Sequence, residues 1–168
     1  GVAATITNLS LVRDAVAPYF FNVGGGGFAF YTEINISSSQ ILNNFATGGN
    51  SGGFELLPAI AGCYYDFVAD WEYTRGTVSY STAASAIQFN YYNAGLNTST
   101  SLAVISGLNL SFSGNRCCPN IRPQMQSTAF NSFYIGDSLC IKLANNINPT
   151  LGNGTVKIKL RYNIIRFS

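Results

Sequence analysis

Hydrophobic and polar residues alternate along several stretches of this chain, which is the pattern of β-strands that bury one face. From Phe28 to Ile36 the even positions are mostly apolar, and polar residues fill most of the odd positions. From Cys63 to Arg75 the odd positions as far as Tyr73 are apolar or aromatic, and several even positions carry carboxylates. The alternation predicts two half-buried strands, the second with an acidic outer face.

Further strands are predicted wherever a period of two lies between segments rich in Gly, Asn, Ser and Pro. Good helix formers are scarce, so no helices are expected. With seven or eight regularly spaced strands, the chain is predicted to be an all-β antiparallel sandwich of the jelly-roll or immunoglobulin-like kind. The additional predicted strands are Gly76 to Ser81, Ala86 to Tyr92, Leu102 to Phe112, Phe133 to Leu143 and Thr155 to Ile164.

Two glycine clusters and one segment with two prolines and two cysteines are predicted to be loops. Thr47 to Gly53 and Gly24 to Gly27 can turn tightly or approach another backbone closely, because glycine has no side chain. Gly24 to Gly27 lacks the Lys-Ser/Thr pair and the helix that a phosphate-binding loop needs, so it is interpreted as a turn. The third loop extends from Gly114 to Gln124.

The length of 168 residues fits a single domain over 1–168, either alone or as the head or shell domain of a longer chain. Charged residues make up 10% of the chain, whereas about 25% is usual. The surface must therefore be built largely from Asn, Ser, Thr, Gly and Tyr.

Composition also excludes several functions. Nine basic and seven acidic residues give a net charge of +2. The basic residues are spread along the chain, which argues against nucleic-acid binding. No apolar run reaches the roughly 18 residues of a membrane span, so no membrane insertion is expected. The absence of histidine excludes Ser-His-Asp triads, Cys-His dyads and the common zinc sites within this chain. No cofactor is expected.

The carboxylates on one predicted strand have two interpretations. Asp70 and Glu72 emerge on the same face about 7 Å apart, a spacing compatible with calcium or with the carboxyl pair of a glycosidase. Alternatively, the stripe Lys157, Lys159 and Arg161 has the same period of two and lies across from them as cross-strand ion pairs. We expect the ion pairs.

Aromatic residues offer a possible recognition surface. Trp71 falls on the apolar face of its strand, so core placement is favoured over a sugar-stacking platform. In the pairs at 64/65 and 91/92, one tyrosine ring must point away from the core. Tyr64 and Tyr92 are therefore candidate ligand-binding residues, together with Asp70, Glu72 and Asn93.

The four cysteines do not form a zinc motif, because no CxxC is present. Disulfides from Cys117 and Cys118 to Cys63 and Cys140 are one possibility, and free thiols are the other. Free thiols are the favoured interpretation, and no metal site is predicted.

The C-terminal region resembles the last two strands of viral jelly-roll domains. It reads Phe133-x-x-Gly136-Asp137-x-Leu139-x-Ile141, followed by Asn153-Gly154-Thr155-x-Lys157-Ile158-x-Leu160-x-Tyr162-x-Ile164. In capsid subunits, fibre heads and the related trimeric tumour-necrosis-factor-like and C1q-like modules, a Gly-Asp turn often opens the penultimate strand. The pattern covers some 35 residues and is one of fold rather than of a single family.

The resemblance implies a non-enzymatic assembly protein, commonly a homotrimer, on the virion surface or in the extracellular space. Its partners would be copies of itself and a host cell-surface glycan or protein. The alternative is a secreted carbohydrate-binding module or lectin that stacks sugars on Tyr64, Tyr92 or Trp71 beside Asp70 or Asn93. A small glycoside hydrolase that uses Asp70 and Glu72 comes third.

Overall fold

The strands predicted by the alternating pattern are present and form a two-layered structure. The computed structural model describes residues 28–45, 52–81, 86–96, 98–105, 110, 113–122, 135–145 and 147–166. Within these ranges lie eight strands and one helix: β1 (Phe30–Ile36), α1 (Ser38–Asn44), β2 (Phe54–Leu57), β3 (Cys63–Thr74), β4 (Ile87–Asn93), β5 (Thr98–Ile105), β6 (Arg116–Ile121), β7 (Ser138–Leu143) and β8 (Thr155–Arg166).

The described strands belong to two four-stranded sheets. Sheet A has the order β1-β8-β3-β6, and sheet B has the order β2-β7-β4-β5. Each pair of neighbouring strands is antiparallel. One cluster of buried side chains draws on both sheets. The prediction of an all-β antiparallel sandwich is confirmed.

The longest pairing joins β3 to β8 at the centre of sheet A. Their register extends over twelve residue pairs, from Cys63 opposite Arg166 to Thr74 opposite Thr155. Trp71 and Leu160 lie on the inner face and are fully buried. Because side chains alternate along a strand, this register directs the charged residues of both strands to the outer face.

Aromatic contacts connect the two sheets through the core. The rings of Phe67 in sheet A and Phe89 in sheet B have their centroids 5.8 Å apart. The hydroxyl group of Tyr91 in sheet B donates a hydrogen bond to the carbonyl group of Tyr65 in sheet A. Trp71 stacks on Tyr73 at 5.9 Å. Trp71 is therefore a core residue, as its place on the apolar face of the strand predicts.

The helix α1 contradicts the expectation of a helix-free chain. Ser37 caps it, and a reciprocal capping box with Gln40 satisfies backbone groups at its first turn. Ile41 faces the core, and the carbonyl group of Phe45 accepts a hydrogen bond from the backbone N–H of Leu143. Seven residues are too few for a clear helical period, so capping and tertiary packing specify this helix.

Several strand predictions are wrong in extent. Gly76 to Ser81 form a loop, β2 was not predicted, and β6 lies in the segment assigned to a loop. β6 carries Pro119 in its interior, a signal that argues against a strand unless the strand is at the edge of a sheet, as β6 is.

The bounds of two other predicted strands also differ. β7 begins at Ser138, because Gly136 has a positive φ of 86° and turns the chain before the strand. Positions 133 and 134 of the predicted strand lie outside the described residues. β5 lies at 98–105 rather than at 102–112, and most of residues 106–112 lie outside the described residues. The glycine cluster at 24–27 lies outside them too.

The phase of β8 can be tested with neighbouring substitutions. Leu160 is fully buried, whereas Lys159 points to the outer face of sheet A. Leu160→Ala is expected to lower the free energy of unfolding by about 2–5 kcal/mol. Lys159→Ala is expected to lower it by much less. Urea unfolding followed by Trp71 fluorescence measures both, and equal losses would show that the phase is wrong.

Candidate functional site

The predicted acidic cluster lies on the outer face of sheet A, beside the basic stripe of β8. The register places Asp70 directly opposite Lys159 and Glu72 directly opposite Lys157. The bonds that form are diagonal, because long side chains reach the neighbour two residues away. The ion pairs are Lys159–Glu72 at 2.5 Å, Arg161–Asp70 at 3.3 Å and Lys157–Glu33 at 3.8 Å.

These contacts are the cross-strand ion pairs that the sequence predicts. Lys157, Lys159 and Arg161 are each matched by one carboxylate of β1 or β3, so this face carries no net charge from these six groups. Asp70 and Glu72 are consequently bound to cations rather than facing each other across a cleft. This arrangement does not favour paired-carboxyl hydrolysis, which needs one protonated and one ionised carboxyl group.

A β-bulge in β6 gives Asp70 further partners. Two residues of β6, Pro119 and Asn120, stand against Asp70 where the register shifts. Asn120 adopts a left-handed backbone with φ of 56°, and its N–H group donates to Asp70 at 2.8 Å. The Asn120 side chain accepts a hydrogen bond from Arg161 at 3.0 Å. The bulge thereby joins the edge strand to the ion pair of Asp70 and Arg161.

Hydrogen bonds on this face stabilise the ionised forms of Glu33 and Lys159. The hydroxyl group of Tyr31 donates to Glu33, which lowers the pKa of Glu33 and raises the pKa of Tyr31. The hydrogen bond to Glu72 raises the pKa of Lys159. Glu33 and Lys159 therefore stay ionised at neutral pH, and neither is suited to exchange a proton there.

The five predicted ligand-binding residues do not lie together. Asp70 and Glu72 project from sheet A, whereas Tyr92 projects from the outer face of sheet B. Tyr64 lies at the start of β3, where burial raises its pKa. Asn93 donates to Asp137 at 2.8 Å and accepts from the backbone N–H of Leu96 at 2.9 Å. The amide group of Asn93 is thus engaged within the fold.

The cysteines are free thiols in four different surroundings. Cys63 and Cys140 are buried, Cys118 is half-buried, and Cys117 is exposed. Cys117 lies opposite Glu72 and Cys118 opposite Trp71, so the two neighbouring thiols take opposite faces of β6. Burial raises the pKa of Cys118, and it raises the pKa of Cys140 to about 11.

The outer face of sheet B holds a group of buried polar side chains that the sequence analysis missed. Lys142 is only 4% exposed, and burial lowers its pKa. The Oδ1 atom of Asn90 is buried without a hydrogen-bond partner among the described residues. The other buried polar residues of β4 and β7 on this face are Gln88, Ser138 and Cys140. Alternation alone assigns these side chains to solvent.

Two glycines cover part of this face. A Cβ atom on Gly52 would lie 2.5 Å from the ring of Tyr92, and one on Gly53 would lie 2.4 Å from the carbonyl oxygen of Ile141. Asn90 donates to the Gly52 carbonyl at 3.1 Å. The prediction of close approach to another backbone is confirmed for Gly53, which lies against the Ile141 carbonyl, whereas Gly52 lies against the Tyr92 ring. Residues 46–51 lie outside the described residues.

Neither a metal site nor a membrane-spanning helix is found in the described ranges. No three His, Cys, Asp or Glu side chains gather there as metal ligands. No helix there is long and apolar enough to cross a membrane.

Comparison with known proteins gave no match to a family model, to a curated protein or to a solved structure. The fold and the surface of this chain are therefore the basis for a proposed function.

The ion pairs on sheet A can be tested by removing one charge. Glu72→Gln is expected to lower the urea midpoint slightly at low ionic strength, because Lys159 loses its partner. The shift should vanish near 1 M salt, where the screening length is about 3 Å. Glu55→Gln is the matched control, since Glu55 is exposed on β2 and has no ion pair among the described residues. A shift that persists in high salt would contradict an ionic origin.

Thiol alkylation tests the four surroundings of the cysteines. Under native conditions and mildly alkaline pH, Cys117 is expected to react first and Cys118 more slowly, because only thiolates attack the reagent. Cys63 and Cys140 should react only after unfolding, since both are buried. Peptide mass spectrometry after timed alkylation gives the order. Early labelling of Cys140 would show that the outer face of sheet B is open.

Proposed function

We propose that this domain is a jelly roll that serves as a non-enzymatic structural subunit of a viral capsid or surface projection. It assembles with copies of itself, as a trimer or in a larger symmetric shell, and attaches to a host surface ligand.

The pairing of strands carries this proposal. β1 pairs with β8, β2 with β7, β3 with β6 and β4 with β5. A chain folded as one long hairpin and then rolled into two sheets has these four pairings. The additional pairings of β3 with β8 and β4 with β7 hold the rolled hairpin in two layers. Viral capsid and lectin domains share this architecture.

The polar groups support a scaffold rather than a sugar-binding or hydrolytic site. The carboxylates of Asp70 and Glu72 are engaged by Arg161 and Lys159. Trp71 is fully buried and offers no stacking platform. Tyr64 and Tyr92 belong to different sheets. No arrangement of these residues favours the lectin or the hydrolase.

One end of the sandwich offers a surface for contacts between copies. We define the loop end as residues 75–81, which connect β3 toward β4, and residues 147–154, which lead into β8. Val78, Ile147 and Leu151 are large apolar residues of the loop end, and they are 48%, 62% and 58% exposed. Exposed apolar groups of this kind mark protein contact surfaces when they cluster.

Hydrogen bonds between the two loops fix the loop end in place. The side chain of Asn153 accepts from the N–H of Val78 at 2.8 Å and donates to Thr77 at 2.9 Å. The buried hydroxyl group of Tyr80 donates to the Gly154 carbonyl at 2.6 Å. A surface that is already ordered loses little conformational entropy on association.

The charge of the loop end suits contact with an identical surface. Its fifteen residues include a single charged side chain, Arg75, which donates to the Ser113 carbonyl at 2.7 Å. Two copies of such a surface meet without strong like-charge repulsion. Contacts between copies are then driven by burial of apolar area.

The test compares aspartate substitutions at the two ends of the sandwich. Sedimentation velocity of the whole chain should give a trimer or larger particle. The double substitution Val78→Asp and Leu151→Asp should shift it to the 18.0 kDa monomer. Leu96→Asp is the matched control, because Leu96 is 68% exposed, more than either substituted residue, but lies in the turn between β4 and β5. It should leave the assembly intact.

Two outcomes would contradict the proposal. A monomer of the unaltered chain at high concentration would overturn self-assembly. Hydrolysis of a glycan that disappears in Glu72→Gln would overturn the non-enzymatic role. Binding of the assembled particle to a glycan array without turnover would identify a glycan as its surface ligand.

A further inference from the structure

Asp137 is the residue directly before β7, and its carboxylate is buried. Charged side chains are usually exposed. The residue is 4% exposed. Gly136 before it has φ of 86°, and the N–H group of Gly136 donates to the carbonyl group of Cys63 at 2.7 Å. The turn that carries Asp137 is thus tied to the beginning of β3. The positive φ of Gly136, which glycine adopts readily, sets the turn that places the Asp137 side chain within the fold.

The contact of Asp137 with β4 continues into the next turn. Asn93 donates from Nδ2 to Oδ1 of Asp137 at 2.8 Å. The other atom of the same amide, Oδ1, accepts from the backbone N–H of Leu96 at 2.9 Å. A chain of hydrogen bonds therefore runs from β7 through the end of β4 to the turn before β5. We call Asp137, Asn93 and the N–H group of Leu96 the Asp137 latch.

No cation neutralises Asp137 among the described residues. The ends of the elements around the latch carry the titratable side chains Cys63 of β3, Tyr92 of β4, Cys140 of β7 and Arg166 of β8. Asp137 takes part in none of the three ion pairs between described residues. The neutral amide of Asn93 is its hydrogen-bond donor there. An ionised carboxylate in this position is poorly compensated for its loss of water.

We propose that the Asp137 latch is an acid-responsive contact: uptake of a proton by the buried carboxyl group removes its uncompensated charge and stabilises the folded latch as the pH falls. The protonated acid still accepts from Asn93 and no longer carries an uncompensated charge. The latch then holds β7 and the turn between β4 and β5 more firmly at the end of the sandwich opposite the loop end.

The direction of the effect follows from the two states of the chain. Burial raises the pKa of Asp137 in the folded protein, and the hydrogen bond from Asn93 opposes this rise. In the unfolded chain the carboxyl group has its ordinary pKa. The folded state therefore binds the proton more tightly, and its stability from this group grows as the pH falls through the folded pKa. Glu33 acts in the opposite direction, because its pKa is lowered.

The test uses the whole chain and a neutral side chain of the same shape. Asp137→Asn is expected to be more stable than the unaltered protein at about pH 7.5. The difference should narrow as the pH falls through the folded pKa and close near the ordinary aspartate pKa of about 4. Each unit of pKa difference between the folded and unfolded states changes the ratio of the two unfolding constants tenfold. Asp66→Asn is the matched control, because Asp66 is an exposed carboxylate on β3. Its effect should not follow this pH dependence.

Two measurements on the unaltered protein keep the proposal testable if the variant fails to fold. The carbon resonance of the Asp137 carboxyl group should titrate above the ordinary range for aspartate. Hydrogen exchange at the Leu96 amide, corrected for intrinsic rates, should become slower at acidic pH. Titration of Asp137 in or below the ordinary range, or a pH-independent difference between Asp137→Asn and the unaltered protein, would overturn the proposal.

Discussion

The twelve-residue pairing of β3 with β8 determines both surfaces of sheet A. Because side chains alternate along each strand, one register buries Trp71 and Leu160 and turns the charged residues of both strands outward. A shift of one residue would exchange the two faces and bring carboxylates into the core. The neighbours β1 and β6 extend a pattern that this pair sets, and the ion pairs on the outer face are its consequence.

The outer faces of the two sheets are used differently. Sheet A exposes charged residues that satisfy one another in diagonal pairs. Sheet B buries Lys142 and Asn90 beneath a covering that includes Gly52 and Gly53. A sandwich with so few charges cannot solvate every outer face through ion pairs. The chain itself covers part of the polar outer face of sheet B, so the polar groups there are removed from water and depend on partners within the fold, as Asn90 does on the Gly52 carbonyl.

The arrangement favours a protein that works through its surface and its assembly. The candidate chemical groups are dispersed: carboxylates pair with cations, Asn93 holds Asp137, and the single tryptophan is in the core. In contrast, exposed apolar side chains gather at a loop end that hydrogen bonds have already ordered. The opposite end contains the buried Asp137 and its hydrogen bond from Asn93, so the proposed contact surface and the proposed acid-responsive contact lie at different ends of the sandwich.

The sequence by itself determined the class of fold and the phase of β3 and β8, because a period of two is a local signal. Matched charges favoured ion pairs for Asp70 and Glu72, but the register of β3 with β8 decided which cation each carboxylate binds. The sequence did not determine α1, β2 and β6, which are short and depend on capping, packing and an edge position. Nor could it place Tyr92 away from Asp70, or bury Lys142 and Asp137. Those outcomes depend on which strands become neighbours and on which segment crosses each face of a sheet. Only the tertiary structure decides them, because alternation along a strand specifies two faces but not what covers each face.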